Sequence, residues 1–180
     1  MTFSPLVYLT LAASLLPISA WCKETSKPTN IGVSATVSQG CSISTTSALA
    51  FGAYDPIGTN ATAALNATGQ VSVACSKGAT GMSIGLDNGT HVVGTQRQMQ
   101  GALATDILLY NIFQPPPSAP GLACIFPGTT PWTATGAGLL TLTTAPSKVA
   151  RLYNVCGTIP GGQDATTGSY TDTVIATLNF

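Results

Sequence analysis

Thr173-Val174-Ile175-Ala176-Thr177-Leu178-Asn179-Phe180 closes the sequence, and its alternation decides how the rest is read. Val174, Ala176, Leu178 and Phe180 share one apolar side, while Thr173, Ile175, Thr177 and Asn179 form a mostly polar one. A period of two is the signature of a strand half-buried on a sheet. An amphipathic strand that runs to the last residue is unusual, because chain ends tend to fray. A second alternating run lies at the other end: Ile31, Val33, Ala35 and Val37 on one side, Gly32, Ser34, Thr36 and Ser38 on the other. Pro28 bars that strand from starting much earlier.

Between these ends the same grammar repeats. Residues 49–54, 70–75, 82–86, 107–113, 139–143, 149–156 and 170–180 read as strands. Gly, Pro, Asn and Asp separate them, and Asp87-Asn88-Gly89 reads as a two-residue hairpin turn. Beyond the leader no segment of ten residues has a helical period. Many short strands with such turns predict an all-β chain, an antiparallel β-sandwich. The exception is 114–132, where Pro115, Pro116, Pro117 and Pro120 exclude regular structure. Ile112, Phe113, Ile125, Phe126 and Trp132 make its surroundings apolar, as suits either a structural loop or an exposed adhesive tip.

Composition agrees and narrows the function. The 180 residues are one domain's length, 44% of them hydrophobic, with six Lys or Arg and six Asp or Glu giving no net charge. There is no basic field for nucleic acid, and the apolar content excludes disorder. His91 stands alone, which excludes a two-His metal site, and no cofactor motif is present.

The apolar run 6–18, broken by Pro17 and followed by Ser19 and Ala20, reads as a signal peptide spanning residues 1–22. It is short of the ~20 apolar residues that span a bilayer, so no membrane insertion of the mature chain is expected. Cleavage after Cys22 leaves Cys41, Cys75, Cys124 and Cys156, an even set that reads as two disulfides with three possible connectivities. Asn60, Asn66 and Asn88 begin sequons that matter only in a eukaryotic secretory pathway.

One catalytic string is present. Gly81-Met82-Ser83-Ile84-Gly85 has the form of a hydrolase nucleophile elbow, with Asp87 and His91 following in hydrolase order. An elbow needs a strand, a tight turn and a helix, whereas alternation here runs on to Asn88 and Gly89. The catalytic reading, a secreted serine hydrolase using Ser83, is therefore the weaker one, and no catalytic residues are assigned. Asp55, Asp87, Asp106, Asp164 and Asp172 stand near turns or strand ends, where Asp caps backbone N–H groups.

The two terminal strands allow two arrangements: pairing inside one closed sandwich, or strand addition to another subunit. Ser34-Ala35-Thr36-Val37, Cys41-Ser42-Ile43, Leu49-Ala50-Phe51-Gly52-Ala53-Tyr54-Asp55 and Val71-Ser72-Val73-Ala74-Cys75 resemble the opening of spore coat protein U domains, the fold of archaic Csu-type chaperone-usher pilins. The likeness continues through Arg97 to Met99, Leu109-Tyr110-Asn111, Ile159-Pro160-Gly161-Gly162-Gln163 and Gly168-Ser169-Tyr170-Thr171-Asp172-Thr173-Val174. It implies an incomplete immunoglobulin-like β-sandwich completed by a donor strand. The implied partners are a periplasmic chaperone, an outer-membrane usher and neighbouring pilus subunits, at the cell surface, in adhesion or biofilm formation.

On that resemblance residues 23–38 are an extension carrying donor residues Ile31, Val33, Ala35 and Val37, and 39–180 are the sandwich. Val174, Ala176, Leu178 and Phe180 line its groove and meet the chaperone. The resemblance also implies a Cys41–Cys75 bridge; Cys124 and Cys156, outside the family's usual pattern, are the remaining pair. A surface or coat protein using the same domain without a fibre is the alternative within this class.

Overall fold

A computed structural model describes residues 25–115 and 119–180. The expected signal peptide, residues 1–22, lies outside the described residues. The chain divides into two units, residues 1–36 and 37–180.

In the first unit, residues 25–36 form no helix or strand, and Ile31 and Val33 are exposed. The alternation from Ile31 predicts a strand, and on this point the structure differs. Period two sets which side of an extended chain is apolar, but a strand also needs a ladder of hydrogen bonds, and among the described residues 25–36 are in none. Val37, which opens the second unit, is exposed as well.

The second unit is all-β. Its nine described strands are β1 (Cys41–Ser47), β2 (Leu65–Cys75), β3 (Ser83–Leu86), β4 (Val92–Val93), β5 (Gln96–Gln100), β6 (Ile107–Phe113), β7 (Leu140–Thr141), β8 (Arg151–Ile159) and β9 (Ala176–Asn179). They make a six-stranded sheet in the order β1-β2-β8-β6-β5-β4 and a three-stranded sheet in the order β7-β3-β9. Every pairing is antiparallel.

The long pair β2 and β8 is the spine. Val71 lies opposite Tyr153 and Val73 opposite Arg151, so alternate residues of both strands face inward together. Val71, Val73, Tyr110, Ile112, Tyr153 and Val155 of the large sheet are buried in one cluster with Met82, Ile84, Leu86, Leu140 and Leu142. Each large aliphatic side chain buried this way contributes about 1.5–3 kcal/mol. Trp132 closes the core at 0% exposure, and its indole N–H donates to the Ile84 carbonyl at 2.9 Å.

Two cations lie inside. The Arg97 guanidinium donates to the carbonyls of Leu86 (3.2 Å), Asp87 (2.9 Å) and Trp132 (2.8 Å), joining the end of β3 to the Trp132 segment. Arg151 donates to the Thr143 carbonyl at 2.8 Å and lies 5.9 Å from the Tyr153 ring centroid. Burial draws the Arg97 pKa below its ordinary value, against the opposing pull of Tyr110, Asp87 and Asp172.

Disulfides join Cys41 to Cys75 and Cys124 to Cys156. The first links directly opposed residues of β1 and β2. The second holds the Pro-rich loop against β8, where the Gly121 N–H donates to the Leu152 carbonyl and the Asn154 side chain to the Leu122 carbonyl, both at 2.8 Å.

Three sequence expectations change. Residues 87–89 do not make a hairpin, because β3 pairs with β7 and β9 while β4 pairs with β5. The turn crosses between sheets, and its N–H groups are taken by carboxylates: Gly89 donates to Asp87, and Thr90 to Asp172. Residues 49–54 belong to no ladder. The run 170–180 is a strand only at Ala176–Asn179, preceded by an isolated bridge between Gln100 and Thr171.

Candidate functional site

The two segments that read as strands but are largely outside the ladders face each other across an opening between the sheets. One lip is residues 48–54, continuing from β1; the other is residues 170–176, leading into β9. Between them lies a cleft of about 390 Å³ with Val71, Leu86, Met99, Tyr110, Ile112 and Val155 on its floor. A second cleft of about 560 Å³ shares Leu49, Phe51, Met99 and Tyr170 with the first and extends it past Tyr54 and Leu108 to Ala165. Together they make a continuous groove with an apolar floor.

Glycines set the first lip. A Cβ on Gly69 of β2 would lie 3.0 Å from the Leu49 nitrogen, and one on Gly157 of β8 would lie 2.7 Å from both Leu49 methyls and from the Phe51 ring. Ala67 of β2 is the register partner of Gly157, so the two glycines make a notch in the inner face of the sheet. Ladder register between β1 and β2 shifts at Thr45 and Ser47, and the chain then drops into this notch. Phe51 meets Tyr110 edge to face at 6.2 Å. Beyond it the lip is held by Tyr54, whose hydroxyl donates to the Pro160 carbonyl (3.1 Å) and accepts the Gln163 N–H (2.9 Å). Gln163 in turn bonds both the N–H and the carbonyl of Leu109, continuing the ladder where β8 has ended.

Asp172 anchors the second lip. Its side chain is 3% exposed. One oxygen accepts the N–H groups of Thr173 (2.8 Å), Thr90 (2.9 Å) and His91 (3.1 Å), and the other accepts the Tyr110 hydroxyl at 2.6 Å. Burial pushes this carboxyl up, but the donors together outweigh it and hold it below the usual carboxylate range. Burial, and then the hydrogen bond to Asp172, push the Tyr110 phenol well above its ordinary value. Beyond Asp172 the strand pairs with β3, Ala176 opposite Leu86 and Leu178 opposite Ile84. On its other side β9 is the edge of its sheet, so its outward N–H and carbonyl groups are unpaired.

Val174 and Ala176 line the groove, and Leu178 packs on the core along the same face. Phe180 is 59% exposed, so the lining stops short of the last residue. Val33 is 93% exposed, and Ile31, Ala35 and Val37 are exposed with it. Sequence reasoning missed the notch, because Gly69 and Gly157 each stand one residue outside the runs 70–75 and 149–156 that read as strands, and only the longer β2 and β8 of the structure take them in.

The hydrolase string does not form a catalytic site. Ser83 lies within β3, and its hydroxyl accepts the Asn179 side-chain N–H at 3.4 Å. The His91 Nδ1 faces Asp172 at 3.3 Å instead. Strand follows Ser83 where an elbow would turn into a helix.

These features define a class: an incomplete immunoglobulin-like antiparallel sandwich with one flank unpaired over an apolar groove. The chain belongs to the Spore Coat Protein U domain family, which it matches over residues 28–177. It is 31% identical to Protein U of Myxococcus xanthus over 182 aligned residues, covering 96% of this chain and 94% of that one. Its fold is shared with a chain in the crystal structure of a chaperone–tip adhesion subunit pre-assembly complex from archaic chaperone-usher Csu pili of Acinetobacter baumannii. That likeness has a TM-score of 0.53 at 21% identity and covers 81% of this chain but 41% of the other.

Proposed function

We propose that this chain is an exported, non-enzymatic subunit of an archaic chaperone-usher pilus, joined to its neighbours by donor-strand exchange. The observation that carries this reading is the groove, whose two lips lack partners on the side where they face each other. Residues 31–37 supply what such a groove lacks: an alternating apolar segment, exposed and without a ladder. Inserted between the lips of another copy, Ile31, Val33, Ala35 and Val37 would reach the floor. Burial of Ile31, Val33 and Val37 would contribute about 1.5–3 kcal/mol each, with main-chain pairing to β9 in addition.

A lone subunit with this groove empty exposes apolar floor and unpaired edge, which invites aggregation. A periplasmic chaperone that occupies the groove until an outer-membrane usher presents the next subunit answers that hazard. The chain's location is then the periplasm in transit and the cell surface afterwards, with a role in adhesion or biofilm formation. The family's description as a spore coat domain favours a second reading, a surface or coat protein with the same domain and no fibre.

The test compares the full mature chain with its Val33→Asp variant by size-exclusion chromatography and unboiled SDS gels under non-reducing conditions. Ladders from the native chain and monomers from the variant support exchange. Stable monomers from both would favour the coat reading.

A further inference from the structure

Six basic and six acidic side chains are all the charge this sequence has. Within the sandwich, Arg97 and Arg151 are buried, and Asp87 and Asp172 are engaged by backbone N–H groups. Lys77, Lys148, Asp55 and Asp164 are exposed, and Asp106 is half-buried. The two signs occupy different ends.

Lys77 lies in the turn after β2, which is bonded to the segment before Lys148: the Gly78 N–H donates to the Ala145 carbonyl and the Ala145 N–H to the Ala79 carbonyl. At the other end, the Gly162 N–H donates to the Asn60 carbonyl, joining the loop of Asp55 to the loop of Asp164. Thr166 donates to Asp106 at 3.1 Å and brings the third carboxylate to the same end. The spine separates the ends, because Lys77 follows the last residue of β2 and Asp164 follows the last residue of the antiparallel β8. At ~3.3 Å per residue those strands hold the charges roughly 30 Å apart.

The chain also enters the sandwich at the cationic end. Ser76, beside Lys77, donates its N–H to the Gly40 carbonyl at 2.8 Å, and Thr80 donates to the Gln39 side chain. Val37 is only three residues from Gly40, about 10 Å of extended chain. If Val37 sits in a second copy's groove, one mouth of that groove must therefore lie beside this copy's Lys77 turn. The groove has two mouths. One, at Pro56, Ala165 and Thr166, is ringed by the carboxylates. The other, where β9 ends opposite Ser83, belongs to the cationic end.

Resting on the donor-strand reading above, we propose that the Lys77 and Lys148 end of one copy seats on the Asp55, Asp106 and Asp164 end of the next. Opposite charge thereby fixes which mouth the incoming segment enters. The reverse entry would press cationic end on cationic end. In the favoured arrangement Val37 lies near Ala165 and Tyr170, Ile31 near Leu178, and the segment runs antiparallel to β9. Lys27 is then four residues past Ile31, about 13 Å of extended chain beyond, more than a Debye length at physiological salt. With so few charges on the surface, these are the groups that steer two copies during encounter.

The test is carbodiimide coupling, which joins an amine to a carboxylate with no spacer, applied to full-length protein as it forms SDS-stable ladders. Peptide mapping should find Lys77 or Lys148 joined to Asp55, Asp106 or Asp164 in ladder bands and not in the monomer, where the ends are too far apart. Lys77→Glu with Lys148→Glu should slow ladder growth about tenfold at low salt. Adding Asp164→Lys to that variant should recover part of the rate, and high salt should bring all three chains together. Asp55 is left intact because its carboxylate accepts the Ile57 and Gly58 N–H groups. Ladders that carry none of these couplings, or that grow at the native rate after reversal, overturn the end-to-end contact and leave donor exchange standing. No ladder from the native chain overturns the donor-strand reading, and this inference with it.

Discussion

Gly157 and Asp172 each hold one lip of the groove, and they differ in how far the sequence announces them. A glycine inside a strand signals a close approach by something, but the sequence reading ended at 156, and the structure shows that β8 runs through Gly157 with the Leu49 methyls and the Phe51 ring against it. Gly157→Val would push that lip out of its notch, and we expect a loss of about 1–3 kcal/mol in urea unfolding. An unchanged midpoint would mean the lip does not rest there. Asp172 reads in the sequence as a turn-capping carboxylate, and it is one; its bond to Tyr110, 62 residues away, could not be read. Because its folded carboxyl lies below the usual range, its stabilisation is present above about pH 4 and is lost as pH falls through the folded value. Asp172→Asn should therefore cost about 1–3 kcal/mol at pH 7 and less at pH 2, where more of the carboxyl is protonated. Urea midpoints at both values check this, and a gap independent of pH would contradict it. Arg97 was illegible: Gln96-Arg97-Gln98-Met99-Gln100 has no apolar alternation, and only the fold reveals the three carbonyls that make its burial tolerable.

Among the elements, β6 was legible to the residue, because a run apolar but for Asn111 fits a central strand, here buried on one face and mostly half-buried on the other. Residues 31–37 have clear alternation and 49–54 also read as a strand, but among the described residues neither segment belongs to a ladder. A period identifies the side to be buried; the presence of a neighbouring edge is a property of the assembled sheet, or of a second molecule. The loop 119–131 is an element of another kind, fixed by Cys124–Cys156 and by Trp132 but leaving Ile125 66% exposed. That disulfide closes a loop of 32 residues. Cys124→Ser with Cys156→Ala should lower stability by about 3–4 kcal/mol. Unboiled SDS ladders should persist in the same variant, since neither cysteine lines the groove. Loss of ladders at a concentration of denaturant where the variant is still folded would tie the loop to assembly instead.

At the scale of the whole molecule, three features converge: an open flank, an apolar segment without a partner, and opposite charge at the two ends of the sandwich. Each is ordinary alone, and together they are what the proposed donor-strand exchange between copies requires. The most direct measurement is amide hydrogen exchange on the native chain, first as monomer and then in SDS-stable assemblies. The account predicts that the amides of 31–37 exchange freely in the monomer, as do the outward-facing half of those in 173–179. Both sets should become protected together on assembly, with the β2 and β8 spine unchanged. Assemblies in which either set still exchanges freely, or a monomer in which 31–37 is already protected, would contradict donor-strand exchange.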